Sequence, residues 1–326
     1  MNFSELVASI PDIGVQWHQN TLIENTRQNF PTEMQLEITD HGDELTIKNI
    51  PTEPRKCLIV SAGPSLYRQK SLDKLKGYTG TIVATDGAYV QCLRHGILPD
   101  YILTIDPHPT RIVRWFGDPE IEAHQADDDY FERQDLDVSF RENSNKVNAE
   151  NYELVEKYPS KLVIACSAPA NIVERTKNMD RYWFTPLVDD PETADGLTKQ
   201  MVDITGLPAM NTGGTVGNAC WVFAHSILKS KDIACVGMDF GYYHDTPYEQ
   251  TQNWNMLKDF ENPQDYFSNE MGACGNFYTD PTYYWYRQNL RDLMKAGKGH
   301  ITNCTEGGLL HGFRVNNMSL KEWLKS

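Results

Sequence analysis

The sequence predicts an α/β fold of the Rossmann-like type, a mostly parallel sheet flanked by helices. Two observations carry that prediction. From Lys56 onward, short apolar runs rich in β-branched residues alternate with helix-length segments, the pattern of βαβ units. Almost every run is followed at once by small, polar or acidic residues. In a parallel sheet all those carboxyl ends share one edge, where open α/β folds bind ligands.

The strand candidates, in order, are Cys57–Val60, Thr81–Ala84, Tyr101–Ile105, Leu162–Ala165, Tyr182–Phe184 and Ile233–Val236, with His300-Ile301-Thr302 as a weaker one. Their brevity and branching favour buried strands over helices. One helix starts after Thr215, where Val216, Cys220, Phe223 and Ile227 form an apolar stripe; a second carries Tyr283, Tyr286, Leu290 and Leu293, with Pro281 at a tolerated first-turn position. Both stripes read as core. Residues 1–53 form an N-terminal extension. Within it, Met34–Thr39 and Glu44–Lys48 alternate around His41-Gly42-Asp43, which predicts a β-hairpin. The domain 54–326 holds an acidic insertion at about 117–159, including Asp127-Asp128-Asp129, Asp135 and Asp137, which reads as a solvated face.

With 326 residues, 40% of them hydrophobic and 23% charged, the chain can bury a sizeable core. A net charge of -15 disfavours nucleic acid and anionic lipid as partners. No apolar run approaches a membrane span, and the first residues lack the basic and apolar regions of a secretory signal, so a cytoplasmic location is expected. The seven cysteines form no CxxC pair and read as reduced core residues, not a zinc site.

The strand ends supply the candidate site. Gly63-Pro64-Ser65 follows the first strand, and its glycine and proline suit a turn that aims backbone N–H groups at an anion. Asp86 follows the second strand, Asp106 the third and Asp239 the run ending at Val236. Thr212-Gly213-Gly214-Thr215 precedes a helix, where bare backbone favours a phosphate or carboxylate. A Walker loop, a full GxGxxG fingerprint, an HExxH helix and a GxSxG elbow are all missing. Each motif alone also fits an ordinary turn or helix cap; their shared edge is what points to a site.

These segments resemble the motility-associated factor and MptE-like family. The resemblance rests on Val60-Ser61-Ala62-Gly63-Pro64-Ser65-Leu66, Asp86-Gly87-Ala88 through Pro99-Asp100, Thr104-Ile105-Asp106-Pro107, Thr212 to Asn218, Gly237-Met238-Asp239 and Asn303 to Gly308. It runs from about Lys56 to Leu324. It implies one of two activities: transfer of nonulosonic acids from CMP-activated donors, through a domain similar to bacterial sialyltransferases, or ATP-dependent pyrophosphoryl transfer to a hydroxymethyl-dihydropterin with Mg2+. Ile105-Asp106-Pro107 and Gly237-Met238-Asp239-Phe240-Gly241-Tyr242 favour the first branch.

On that branch the resemblance implies that Tyr242, Tyr243 or Tyr248 stabilises the leaving phosphate. His244 would be the general base, while Ser65, Thr212, Gly213 and Gly214 would hold the donor. Asp239 counts among the catalytic candidates; on the second branch Asp86 and Asp106 would bind Mg2+, with Asp239 as a further candidate ligand. The sequence departs from sialyltransferases in two places: Ser61-Ala62 replaces the asparagine before Gly-Pro-Ser, and Met271–Phe277 lacks the downstream histidine. A non-catalytic nucleotide-binding module is a third reading. The expected partner in each case is a nucleotide or nucleotide-sugar, the acceptor is left open, and no tightly bound cofactor is expected.

Overall fold

The computed structural model describes residues 2–31, 45–125 and 144–326. Nine strands form one sheet: β1 (Lys56–Val60), β2 (Thr81–Thr85), β3 (Tyr101–Thr104), β4 (Lys161–Ala165), β5 (Arg181–Leu187), β6 (Ala209–Asn211), β7 (Asp232–Val236), β11 (Ile301–Asn303) and β12 (Val315–Asn317). Their order is β12-β11-β7-β1-β2-β3-β4-β5-β6, and every pairing is parallel. The Rossmann-like α/β architecture is therefore the one the alternating pattern predicts.

Central strands are buried on both faces, which is why they read as continuous apolar runs. Along β1, Cys57 and Ile59 face a core shared with the helices Val216–Val222 and Pro281–Ala296. Leu58 and Val60 face the opposite layer, with Cys92 and Trp323. Both helices start where the sequence placed them. Asp280 caps the second, accepting from the Tyr283 N–H at 2.8 Å, and Pro281 occupies its first turn. The first continues as a π-turn over Phe223–Ile227. Six cysteines are buried and unbridged, and Cys274 is exposed. Burial pushes the Cys57 thiol up to about 12, as expected of inert core thiols.

Three features depart from the sequence reading. First, the N-terminal extension opens with a 27-residue helix, Phe3–Asn29, started by an Asn2/Glu5 capping box. The expected hairpin lies outside the described residues except for Leu45–Lys48. There Thr46 makes a parallel bridge to Trp183, and Ile47–Asn49 is a 3-10 turn. Second, the described ends of the 117–159 insertion are helical, at Ile121–Gln125 and Ser144–Lys157; its Asp-rich middle lies outside the described residues. Third, a small antiparallel sheet of β8 (Tyr242–Tyr243), β9 (Ser268–Gly272) and β10 (Gly275–Thr279) follows β7. Among the described residues, no helix is long and apolar enough to cross a membrane.

The N-terminal helix spans the carboxyl edge of the sheet and is held at both ends. Leu6 is buried with Tyr242, Tyr278 and Phe267. At the other end, Asn25 Nδ2 donates to the Pro107 and Ser167 carbonyls at 3.1 and 3.0 Å. Asn29 Nδ2 donates to Cys166 and Ala168 at 2.9 and 2.7 Å. Asn29→Ala removes a donor from two carbonyls in the buried loop after β4. We expect it to cost about 1–3 kcal/mol, read as a lower urea midpoint together with faster proteolysis of the helix. An unchanged midpoint would show that apolar packing alone docks this helix.

Candidate functional site

From β1 the chain winds outward through β2 to β6, then returns to β7 on the other side of β1. Loops leaving β1 and β7 therefore diverge, and the crevice between them is where such sheets bind ligands. A cavity of 890 Å³ opens there, near the top of the range of about 300–1,000 Å³ for small-molecule sites. Gly63, Pro64, Asp86, Asp106, Asp239 and the whole of Thr212-Gly213-Gly214-Thr215 line it. Ser65, Tyr242, Tyr243, His244 and Tyr248 are not on its walls.

The glycines at the walls are dictated by backbone geometry. Gly213 and Gly214 have φ of +59° and +84°, a left-handed pair that other residues adopt only with strain. Asn211 Oδ1 accepts from the Gly213 N–H at 2.9 Å, and Asn218 Nδ2 donates to the Gly213 carbonyl at 2.8 Å. A Cβ on Gly63 would collide with the Asp239 carboxylate and the Gly237 carbonyl. These positions consequently report on folding as much as on ligand contact.

Ser65 lies behind the wall. Its N–H donates to Asp239 Oδ2 at 3.2 Å and its hydroxyl to Asp239 Oδ1. That hydroxyl also meets the Tyr243 hydroxyl at 2.8 Å, and the Arg68 guanidinium sits 4.2 Å from the Tyr243 ring centroid. Tyr242 points into the small sheet, donating to Asp280 at 2.8 Å, and burial pushes its phenol well above the ordinary value. Tyr248 stacks on Phe267 with centroids 4.3 Å apart, and His244 is exposed. The tyrosine cluster that looked like a phosphate-facing loop is thus tied into the β8–β10 sheet. The two-residue β8 is too short to leave a readable pattern.

Asp86 is buried at the carboxyl end of β2. Thr104 Oγ1 donates to its Oδ2 at 2.9 Å and the Gly87 N–H to its Oδ1 at 2.7 Å. Burial outweighs both bonds and, helped by the charge of Asp106, pushes its carboxyl up to about 7. Asp106 is half-buried, with Oδ1 accepting from the His108 N–H at 2.7 Å. Among the described lining residues the carboxylate and imidazole side chains are Asp86, Asp106, Asp189, Asp239, Asp292 and His18, with no lysine or arginine. Two further lining hydroxyls, Ser61 Oγ and Thr85 Oγ1, are buried and have no hydrogen-bond partner. A ligand's polar groups would satisfy them.

Sequence reasoning missed two walls. Tyr283, Tyr286 and Leu293, read as a core stripe, line the cavity together with Trp285 and Asn289. Their half-burial distinguishes them from the fully buried Leu290, and a periodic pattern alone does not encode that difference. The N-terminal helix supplies the other wall.

A divalent cation is compatible with these walls but not prebuilt. Among the described residues no group of three or more His, Cys, Asp or Glu is arranged to hold a metal. A Mg2+ ion uses one or two carboxylates and completes its shell with water and phosphate oxygens. Asp106 and Asp86 fit that use, since a cation beside them would offset the burial and, to a lesser degree, the Asp106 charge that raise the Asp86 carboxyl.

The fold and cavity define a parallel-sheet α/β protein with a cavity at its topological switch point. Residues 24–115 match the family model described as 6-hydroxymethylpterin diphosphokinase MptE-like, and over that segment the chain is similar to that family. The fold is shared with the structure of the MAf glycosyltransferase from Magnetospirillum magneticum AMB-1, at TM-score 0.52 and 14% identity over 85% of this chain. This chain spans only 35% of that protein. A search of curated proteins gave no match.

The Asp86 carboxyl makes a pH prediction. An unfolded aspartate titrates near 3.9 and the folded group near 7, so between those values the folded form holds a proton that the unfolded form has released. Folding stability therefore falls as pH rises through this window, by a loss on the order of a few kcal/mol. Asp86→Asn keeps the shape and removes the titration. The variant should gain stability relative to the parent between pH 5 and pH 8, measured by urea unfolding. An equal difference at both pH values would show that Asp86 does not titrate there.

Proposed function

We propose that the protein is a nucleotide-dependent transferase that moves a glycosyl group from a nucleotide-activated sugar to an acceptor hydroxyl. The observation that carries this reading is the switch-point cavity, with its Gly213-Gly214 turn and the unpartnered hydroxyls of Ser61 and Thr85 at adjacent strand ends. The glycosyltransferase that shares the fold supports it.

The donor phosphate would lie beside the Gly213-Gly214 turn and the unpartnered Ser61 and Thr85 hydroxyls, neutral groups in place of the cationic side chains that the described walls lack. In the transfer, the bond between the anomeric carbon and the phosphate oxygen breaks, and its electron pair leaves with the phosphate. The acceptor oxygen bonds to the anomeric carbon and its proton passes to a wall carboxylate. Asp106, half-buried at the end of β3, is our choice for that group. The four residues of the β8 loop take no part in this scheme.

A second reading, pyrophosphoryl transfer from ATP, is favoured by the match over 24–115 and by an acidic cavity without lysine or arginine. There Asp86 and Asp106 would hold Mg2+, which neutralises phosphate charge when bound.

Calorimetric thermal shifts with CMP, UDP and ATP, each with and without Mg2+, test the shared premise. A nucleotide at a hundred times its Kd should add about 2.7 kcal/mol. Product analysis then separates the readings, by CMP release from a CMP-sugar or AMP release from ATP. Asp106→Asn should lower the active reaction about a hundredfold with little change in Tm. If no nucleotide raises Tm under any condition, both readings fall.

A further inference from the structure

The middle of the N-terminal helix faces the cavity. Ile10, Gly14, His18 and Leu22 recur at four-residue steps, with Pro11 and Val15 beside them, and all six line the wall. The family match begins at residue 24, so this entire face lies outside the segment that carries the family pattern. The switch-point turns are at the sheet edge, whereas this helix lies across the strand ends, held by Asn25 and Asn29 to the loops after β3 and β4. What reaches the helix is the part of a ligand remote from its phosphate.

The chemistry of that wall is specific. It is apolar except for His18, which makes no hydrogen bond among the described residues. Aromatic rings of Tyr283, Trp285 and Tyr286 complete the same cavity. Flat apolar surfaces and one ring nitrogen suit an uncharged ring that carries a hydroxyl, and the acidic walls disfavour an anionic group. Gly14 leaves a gap in this face, because a Cβ there would meet nothing within 4 Å.

We infer that this helix face is the second-substrate wall, selecting an uncharged hydroxylated ring compound as acceptor, with His18 accepting a hydrogen bond from its hydroxyl. The inference rests on the transferase reading of the cavity. A Cβ at position 14 meets no protein atom within 4 Å on a wall of the cavity, so Gly14→Phe, with its Tm measured alongside, separates occupancy from folding.

The test uses the full chain and two probes, phenyl β-glucoside for the acceptor space and CMP for the donor space, with affinities from ligand-observed NMR and calorimetry. Gly14→Phe should weaken phenyl glucoside about tenfold more than it weakens CMP, with Tm unchanged or raised because glycine is a poor helix former. His18→Ala should weaken the glucoside severalfold, and His18→Gln, which retains an acceptor, should restore part of that loss. The wall is refuted if the parent does not bind phenyl glucoside, if Gly14→Phe binds it as the parent does, or if both probes weaken equally. Glucoside binding lost in Gly14→Phe by a protein that never binds CMP supports the wall and refutes a CMP-activated donor. CMP binding without glucoside binding does the reverse.

Discussion

A buried carboxylate holds the site together. Asp239 accepts both the N–H and the hydroxyl of Ser65, fixing the turn after β1 to the turn after β7. The Gly63 N–H donates to the Gly237 carbonyl at 2.9 Å alongside it. On its other side, the Leu309 N–H donates to the Asp239 carbonyl at 2.7 Å, and Gly308 packs against the Asp239 backbone so closely that a Cβ would overlap it. One side chain and its peptide thus lock the loops after three adjacent strands, and the crevice exists because β1 and β7 are held at this spacing. Buried charge is tolerated only when so fully hydrogen-bonded.

The cavity that results is acidic, and its electrostatics constrain any ligand. A phosphate entering it meets backbone dipoles and neutral hydroxyls, while the nearest wall charges repel it. Two devices would resolve that conflict: the unpartnered Ser61 and Thr85 hydroxyls, or a cation carried in with the phosphate. The raised Asp86 carboxyl expresses the same tension, since it lowers the negative charge of the wall by holding a proton near neutrality. Site chemistry and pH response therefore share one cause, the burial of the Asp86 carboxylate near Asp106.

The N-terminal helix adds a wall to the cavity at the open sheet edge. Its ends are anchored by apolar packing at Leu6 and by amide side chains at Asn25 and Asn29. Between those anchors sit Pro11 and Gly14, a residue that lacks an amide donor and one that leaves a gap in the wall. The two lower the helix's own stability, so its conformation depends on docking at both ends.

By itself the sequence determined seven of the nine strands, the starts of the helices at Val216 and Pro281, the strand-end positions of Gly63, Asp86, Asp106 and Asp239 and the place of Gly213 before a helix, because β-branched runs and glycine turns are local signals; the short β6 and β12 left no such signal. It also carried the family resemblance, through short motifs at those strand ends. Tertiary structure alone decided which candidates face the cavity. Tyr242, Tyr243 and Tyr248 were drawn away by pairing with β10 and stacking on Phe267, contacts between residues distant in sequence. Ser65 became a clamp because Asp239 lies opposite it, 174 residues along the chain. The helix Phe3–Asn29 left little periodic signal because its faces serve different neighbours: a buried cluster, the ligand space and solvent. Local chemistry fixes which elements form, and only long-range packing fixes what each side chain finally touches.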